Sequence, residues 1–347
     1  MRAKLLSLAT AVPAHELRTE DVAVEAARIF GGRQEDFDRM LPVYANTGIK
    51  MRYSACSYDW FRAEQGWPER SEAFVSEASR LFGVVAGRAL AQAGLAASQI
   101  DSIVMISSTG IATPTIEARV MSGLGFRDDV KRVPVFGLGC AGGVAGLSLA
   151  ARLAVAQPDS NVLVVVIELC SLTFRRDEMT KSNIIATALF GDGAAAAILS
   201  TRGGNAHGEI EFSGEHTWPD TVDVMGWRLD NAGFSAIFSR SIPDLALRQL
   251  RPAADQFLRR HNLSFEHIGA YSFHPGGAKV ITALETAFEL ETGRLGNERK
   301  ILAGYGNMSA PTVLFVLDES LKENFSGRRF VSALGPGFTA GFLTMLQ

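Results

Sequence analysis

One cysteine, one histidine and one asparagine stand out because each sits on a glycine-bordered turn. Cys140 lies in Val133-Pro-Val-Phe-Gly-Leu-Gly-Cys-Ala-Gly-Gly-Val, where an apolar strand runs into glycines and then into a helical pattern. A thiol at a helix start is placed for nucleophilic catalysis: terminal N–H groups favour thiolate, and small neighbours admit a bulky thioester. A thiolate forming below the roughly 8.5 of free cysteine is therefore expected. His274 opens His-Pro-Gly-Gly, and Asn307 lies in Gly306-Asn-Met-Ser309. An imidazole and a carboxamide beside such a nucleophile could donate hydrogen bonds to a developing oxyanion. Blander roles coexist with these: a small buried residue for Cys140, a turn for His274, a cap of the following helix for Asn307.

Positioning these groups requires alternating elements. Strand-like runs are read at 103–108, 133–136, 162–167, 194–199, 330–333 and 338–345, with a first strand near the N-terminus. Helix-period segments are read at 76–94, 144–156, 243–260, 278–290 and 311–323. Such alternation indicates an α/β architecture, and the Val162–Ile167 run suits a strand buried on both faces. Asn307 follows Cys140 by 167 residues, and the same offset carries 103–108 onto 270–275. Each half thus reads as strand, glycine turn, helix, strand, closing on a glycine-rich hairpin (Gly191-Asp-Gly and Gly335-Pro-Gly).

The glycine-flanked motifs Gly139-Cys-Ala-Gly-Gly, Phe190-Gly-Asp-Gly-Ala, His274-Pro-Gly-Gly, Gly306-Asn-Met-Ser and Gly335-Pro-Gly-Phe-Thr follow one another over most of the chain. In that order they resemble the type III polyketide synthases of the chalcone synthase superfamily. A ketoacyl synthase III would carry His-Gln-Ala-Asn at His274. A thiolase would carry a second catalytic cysteine near its end, and no cysteine follows Cys170. The resemblance implies a thiolase-like five-layer αβαβα sandwich of two similar halves, 1–204 and 205–347. It assigns catalysis to Cys140, His274 and Asn307, with acyl-CoA and malonyl-CoA as substrates and no cofactor or metal.

The same resemblance places Phe190 at the mouth between a CoA tunnel and the active-site cavity, and aligns Ala236 with a second gatekeeper aromatic. It sets Cys170 and Thr173 beside an acyl cavity, although core packing serves Cys170 equally well. Ser309 falls in the asparagine motif. Thr113-Pro114 aligns with a loop that reaches a partner's cavity, implying a homodimer. Of the basic residues that meet CoA phosphates in plant relatives only Arg39 matches, which leaves room for a carrier protein to deliver the starter. The 168–174 and 218–227 segments look most like bacterial members that extend long-chain fatty acyl starters to alkylpyrones or alkylresorcinols.

Two other readings stand beside this one. A β-ketoacyl-carrier synthase making a single condensation would use the same three residues. Gly137-x-Gly139-x-x-Gly142 between a strand and a helix also fits a dinucleotide fingerprint, with Glu168 on a ribose; yet Glu168 lies 26 residues beyond Gly142 rather than about 20.

Composition narrows the setting. With 347 residues, 47% hydrophobic, and a net charge of −3, the chain can bury a large core and has no basic field for nucleic acid. Three cysteines offer no disulfide framework, which suits a reducing, cytoplasmic setting. The N-terminal apolar run, broken by Ser7, Thr10 and Pro13, reads as a strand rather than a signal peptide. No segment reaches the roughly 20 apolar residues of a membrane span.

Overall fold

The Val162–Ile167 run lies within a strand, β6 (Asn161–Leu169), that is buried along its whole length. Its side chains alternate between two cores, Val162, Val164 and Val166 into one and Leu163, Val165 and Ile167 into another. This is the period-two consequence of a strand covered on both faces. The chain is described by a computed structural model for residues 1–30, 40–202 and 204–347.

The strands that accompany β6 are β1 (Ala3–Ala11), β2 (His15–Arg18), β3 (Met51–Ser54), β4 (Ser102–Ser107), β5 (Lys131–Phe136), β7 (Asp192–Ser200), β8 (Gly208–Thr217), β9 (Met225–Asp230), β10 (Gly233–Phe238), β11 (Ala270–Phe273), β12 (Arg328–Gly335) and β13 (Thr339–Leu346). With β6, eight of them pair in the order β11-β12-β13-β8-β1-β7-β6-β4-β5, while β9-β10 and β2-β3 form two-stranded ribbons. β4 runs parallel to β5 and β6, and β11 parallel to β12. The two halves join where Ala3–Leu5 of β1 pairs with Gly208–Ile210 of β8.

Eight helices matter here: α1 (Thr19–Phe30), α2 (Trp67–Ala93), α3 (Gly142–Ala156), α4 (Lys181–Leu189), α5 (Arg251–Arg260), α6 (Ala278–Ala287), α7 (Gly296–Tyr305) and α8 (Ala310–Ser320). α3 and α8 are buried between the halves, in one core with β1, β4, β6, β7, β12 and β13. Gly143 permits their contact, since a Cβ there would lie 2.4 Å from the Ala310 carbonyl oxygen. α2 covers the outer face of the first half, and α5, α6 and α7 cover that of the second. The result is the expected five-layer αβαβα sandwich. Gly139–Ala156 is long and apolar enough to pass for a membrane span, but it is the core helix with its preceding turn, 72% buried.

Three expectations are corrected. Gly191-Asp-Gly is not a hairpin: it leads from α4 into β7, whereas Gly335-Pro-Gly does join the antiparallel β12 and β13. The internal repeat is imperfect, because the turn at Asn307 follows helix α7 where the turn at Cys140 follows strand β5. The helix read at 243–260 is interrupted. Its first turn, Ile242–Leu245, passes through a π-turn at Ala246–Leu250 before α5, just ahead of Pro252, which lacks the amide that would continue the ladder.

Candidate active site

β5 ends at Phe136, and a 3₁₀ turn, Gly139–Ala141, carries Cys140 into α3. Gly139 has φ 47°, and a Cβ there would lie 2.5 Å from Pro336 Cδ. The β12–β13 hairpin thus presses directly on the turn that carries Cys140. The Gly139 amide donates to Ser108 Oγ at 2.9 Å. Beneath this turn, the fully buried Glu168 accepts from the Ser108 amide at 2.9 Å and from Thr109 Oγ1 at 2.8 Å. Glu168 is therefore an internal anchor rather than a ribose ligand. A Cβ on Gly142 would lie 3.0 Å from Ile106 and 3.1 Å from Ala310, so this turn packs against protein where the dinucleotide reading needs a pyrophosphate.

His274 follows β11 directly, and its amide donates to the Ser332 carbonyl at 2.9 Å, extending the pairing with β12. Neither ring nitrogen has a hydrogen-bond partner. Asn307 is held on every side. Its amide donates to the Leu189 carbonyl at 2.9 Å, and its own carbonyl accepts from the Gly191 amide at 3.0 Å. These bonds form a bridge between Phe190 and Asn307, and they require Gly191 and Gly306 to approach backbone without a Cβ.

The Asn307 side chain is equally fixed. Oδ1 accepts from the Ser309 amide at 2.8 Å, and Nδ2 donates to the Gly276 carbonyl at 3.2 Å. The amide's orientation follows from these two bonds, and a second N–H on Nδ2 remains. Ser309, with φ 57°, occupies the N-cap position of α8 expected of Asn307. Its hydroxyl accepts from Cys140 Sγ at 3.5 Å. A continuous path of contacts therefore links Cys140, Ser309, Asn307, Gly276 and His274.

Cys140 is 7% exposed, His274 5% and Asn307 1%. Burial pushes the Cys140 thiol up to about 12, with Glu168 adding to the rise and the Ser309 hydroxyl opposing it. Burial alone brings His274 down to about 3. Desolvation thus outweighs the helix start at Cys140 and disfavours the thiolate that the sequence suggests.

Phe190 lines two cavities. One, of about 360 Å³, is lined by Cys140, Ser309, Pro336, Ala236, Trp227 and Phe238. Ala236 pairs with Trp227 across the β9–β10 ribbon, and the rings of Trp227 and Phe238 lie 5.8 and 6.1 Å from that of Phe190. Ala236, which aligns with the second gatekeeper aromatic of the family, thus sits between aromatic neighbours. The other cavity, of about 630 Å³, is lined by Cys170, Thr173, Ala186 and Phe190 and by Val22 and Ala26 of α1. Thr173 Oγ1 donates to the Cys170 carbonyl at 2.7 Å.

The remaining predicted residues lie elsewhere. Thr113 is exposed in the loop before Thr115, close to a surface groove lined by Ile111, Thr115 and Phe136. Arg39 is outside the described residues. The sequence reading missed Ser108, Thr109, Trp227 and Pro336. For the first two a signal was available, since they follow the carboxyl end of a parallel strand.

The sequence matches the family of chalcone and stilbene synthases, through its N-terminal domain over residues 2–203 and its C-terminal domain over residues 209–345. The chain belongs to this family. As a type III polyketide synthase it is 36% identical to a putative chalcone synthase of Bacillus subtilis, over 98% of the chain and 97% of the relative. It is 35% identical to a 1,3,6,8-tetrahydroxynaphthalene synthase of Streptomyces peucetius, over 97% and 91%. The crystal structure of 1,3,6,8-tetrahydroxynaphthalene synthase from Streptomyces coelicolor, a bacterial type III polyketide synthase, superposes with a TM-score of 0.93 at 27% identity, covering 99% of each chain.

Proposed function

We propose that this type III polyketide synthase loads a long-chain fatty acyl starter from acyl-CoA onto Cys140. It then extends the starter with malonyl-CoA and cyclises the product to an alkylpyrone or alkylresorcinol. The observation that carries the long-chain reading is the cavity beyond Cys170 and Thr173, whose walls are mostly hydrocarbon. Each buried CH₂ contributes about 0.8 kcal/mol, so apolar walls favour long chains over short ones.

In the first step Cys140 Sγ attacks the thioester carbonyl while its proton passes to His274, and CoA leaves with that proton. In the second, malonyl-CoA loses CO₂ and the electron pair moves onto the thioester oxygen. That enolate accepts from an N–H of the neutral His274 ring and from Asn307 Nδ2, two donors held in a dry site. Neither donor carries a formal charge that would equally stabilise the starting carboxylate. The enolate carbon then attacks the acyl group on Cys140, which returns the chain to CoA and expels the Cys140 thiolate, and a proton taken up from solvent restores the thiol. The test is mass spectrometry of products from a panel of acyl-CoA starters with malonyl-CoA. Pyrones or resorcinols from long starters support the reading, and a single two-carbon addition without cyclisation contradicts it.

The exposed edge supports a homodimer. Among the described residues β5 pairs only with β4, and Phe136 at its end and nearby Ile111 are 51% and 54% exposed. A strand at a sheet edge with apolar flanks is a template for a second copy. Sedimentation at micromolar concentration should show a dimer; a fully active monomer would refute this.

A further inference from the structure

Much of the wall around Cys140 belongs to the β9–β10 ribbon, through Met225, Trp227, Ala236 and Phe238. That ribbon stands outside the nine-stranded sheet, so its distance from Cys140 is left to side chains. Side chains alternate along a strand, and beside the paired Trp227 and Ala236 lie the paired Arg228 and Ser235, which turn to the far face. There Glu178 Oε2 accepts from Ser235 Oγ at 2.7 Å, and Oε1 accepts from Arg228 NH2 at 3.1 Å. One carboxylate thus grips both strands at the rung next to the one that lines the cavity. At the end of β9, Arg175 NH1 donates to Asp230 Oδ1 at 2.8 Å. Arg175 and Glu178 are held in turn by Asn183 of α4, whose Nδ2 donates to their carbonyls at 2.5 and 2.6 Å.

Bonds to an ionised carboxylate are stronger than neutral ones, and more so where water is excluded. The Glu178 side chain is 15% exposed and Ser235 is buried, so this clasp is sheltered. Ala236 makes the cavity sensitive to it: a methyl group has no rotamer with which to adjust, so any shift of the ribbon backbone changes the space beside the sulfur directly. We propose that Glu178 is a positioning residue that sets the width of the Cys140 cavity, acting through Ser235 and Arg228 from the opposite face of the ribbon. With the clasp closed the site favours groups that are narrow next to the reacting carbon, and with it broken the site admits wider ones. The inference rests on Cys140 as the acylated residue and is independent of starter length.

Alkylation of Cys140 measures that width without any thioester, so its outcome stands apart from the proposed synthase reaction. The probes are iodoacetamide and the bulkier N-benzyl-iodoacetamide, with peptide mapping to separate Cys140 from Cys56 and Cys170. The ratio of the two rates cancels any change in thiol ionisation. Ser235→Ala should raise the benzyl-to-parent ratio about threefold, and Glu178→Ala, which also releases Arg228, about tenfold. Glu178→Gln keeps an acceptor for Ser235 without the charge and should fall between wild type and Glu178→Ala. The double variant should match Glu178→Ala alone, because both changes break the same contact. Unchanged ratios in folded Ser235→Ala and Glu178→Ala, equal acceleration of both reagents, or additive effects in the double variant would overturn the proposal. If Glu178→Ala fails to fold, Ser235→Ala decides, and an unchanged ratio overturns it. A raised ratio in a protein whose Cys140 takes no acyl group from acyl-CoA would support the clasp and count against the proposed function.

Discussion

On one side of Phe190 the walls carry the Cys140 thiol, the Ser309 hydroxyl and the rings of Trp227 and Phe238; on the other they are mostly hydrocarbon around the buried Arg52. The first cavity is built from turns whose backbones are locked together, with glycines wherever a Cβ would collide. The second is lined by residues of α1 and α4 together with β2, β3 and the 170–174 turn. The contrast separates two tasks. Bond-making needs donors fixed to fractions of an ångström, whereas chain recognition needs only apolar area.

The largest effects are expected on the rigid side. His274→Ala and Asn307→Leu should each lower malonyl-CoA decarboxylation by about 10² to 10³, the loss typical of one oxyanion donor, while circular dichroism stays native. Retained decarboxylation in both would place the oxyanion site elsewhere. The burial of Cys140 predicts that inactivation by iodoacetamide rises with pH and has its midpoint well above 8.5, because the thiol is pushed up to about 12. A midpoint below 8.5 would show that the thiolate is stabilised after all.

Smaller effects sharpen the division. Phe190→Ala removes a half-buried ring packed on Trp227 and Phe238. It should cost about 1–3 kcal/mol in denaturant unfolding, below the range for a fully buried phenylalanine, and flatten starter selectivity by joining the cavities. Unchanged selectivity would mean that this ring is no partition. Ser309→Gly relieves a non-glycine residue at φ 57°, worth about 1 kcal/mol of stability, but removes the acceptor of the Cys140 thiol. Greater stability with slower acylation is the expected pair of outcomes, and lower stability would show that the hydroxyl matters more than the strain.

Much of this was legible before the structure. β6 announced itself by an unbroken apolar run, and Cys140, His274 and Asn307 by glycines on either side. β8 was not legible, because Gly208–Thr217 mixes charged and apolar residues and lies half-exposed. Nor was α7, a short helix whose Glu298 turns inward to accept from the Phe273 amide at 2.9 Å. Ser309 gave no sign of its left-handed backbone, and Arg52 none of its burial. That burial is set by Gly191 and Gly306, which let the arginine's Cβ pack against them, and such a contact between distant segments leaves no local pattern.

The division at Phe190 is tested most directly by Cys170→Phe, which adds a ring to the wall of the apolar cavity. The measurement is kcat/KM for a series of acyl-CoA starters from short to long, on wild type and variant, with intact-protein mass confirming the adduct on Cys140. Several CH₂ groups excluded from the cavity forfeit about 0.8 kcal/mol each, so long starters should lose about 100-fold or more while the shortest change only a few-fold. An equal loss at every length would contradict the account.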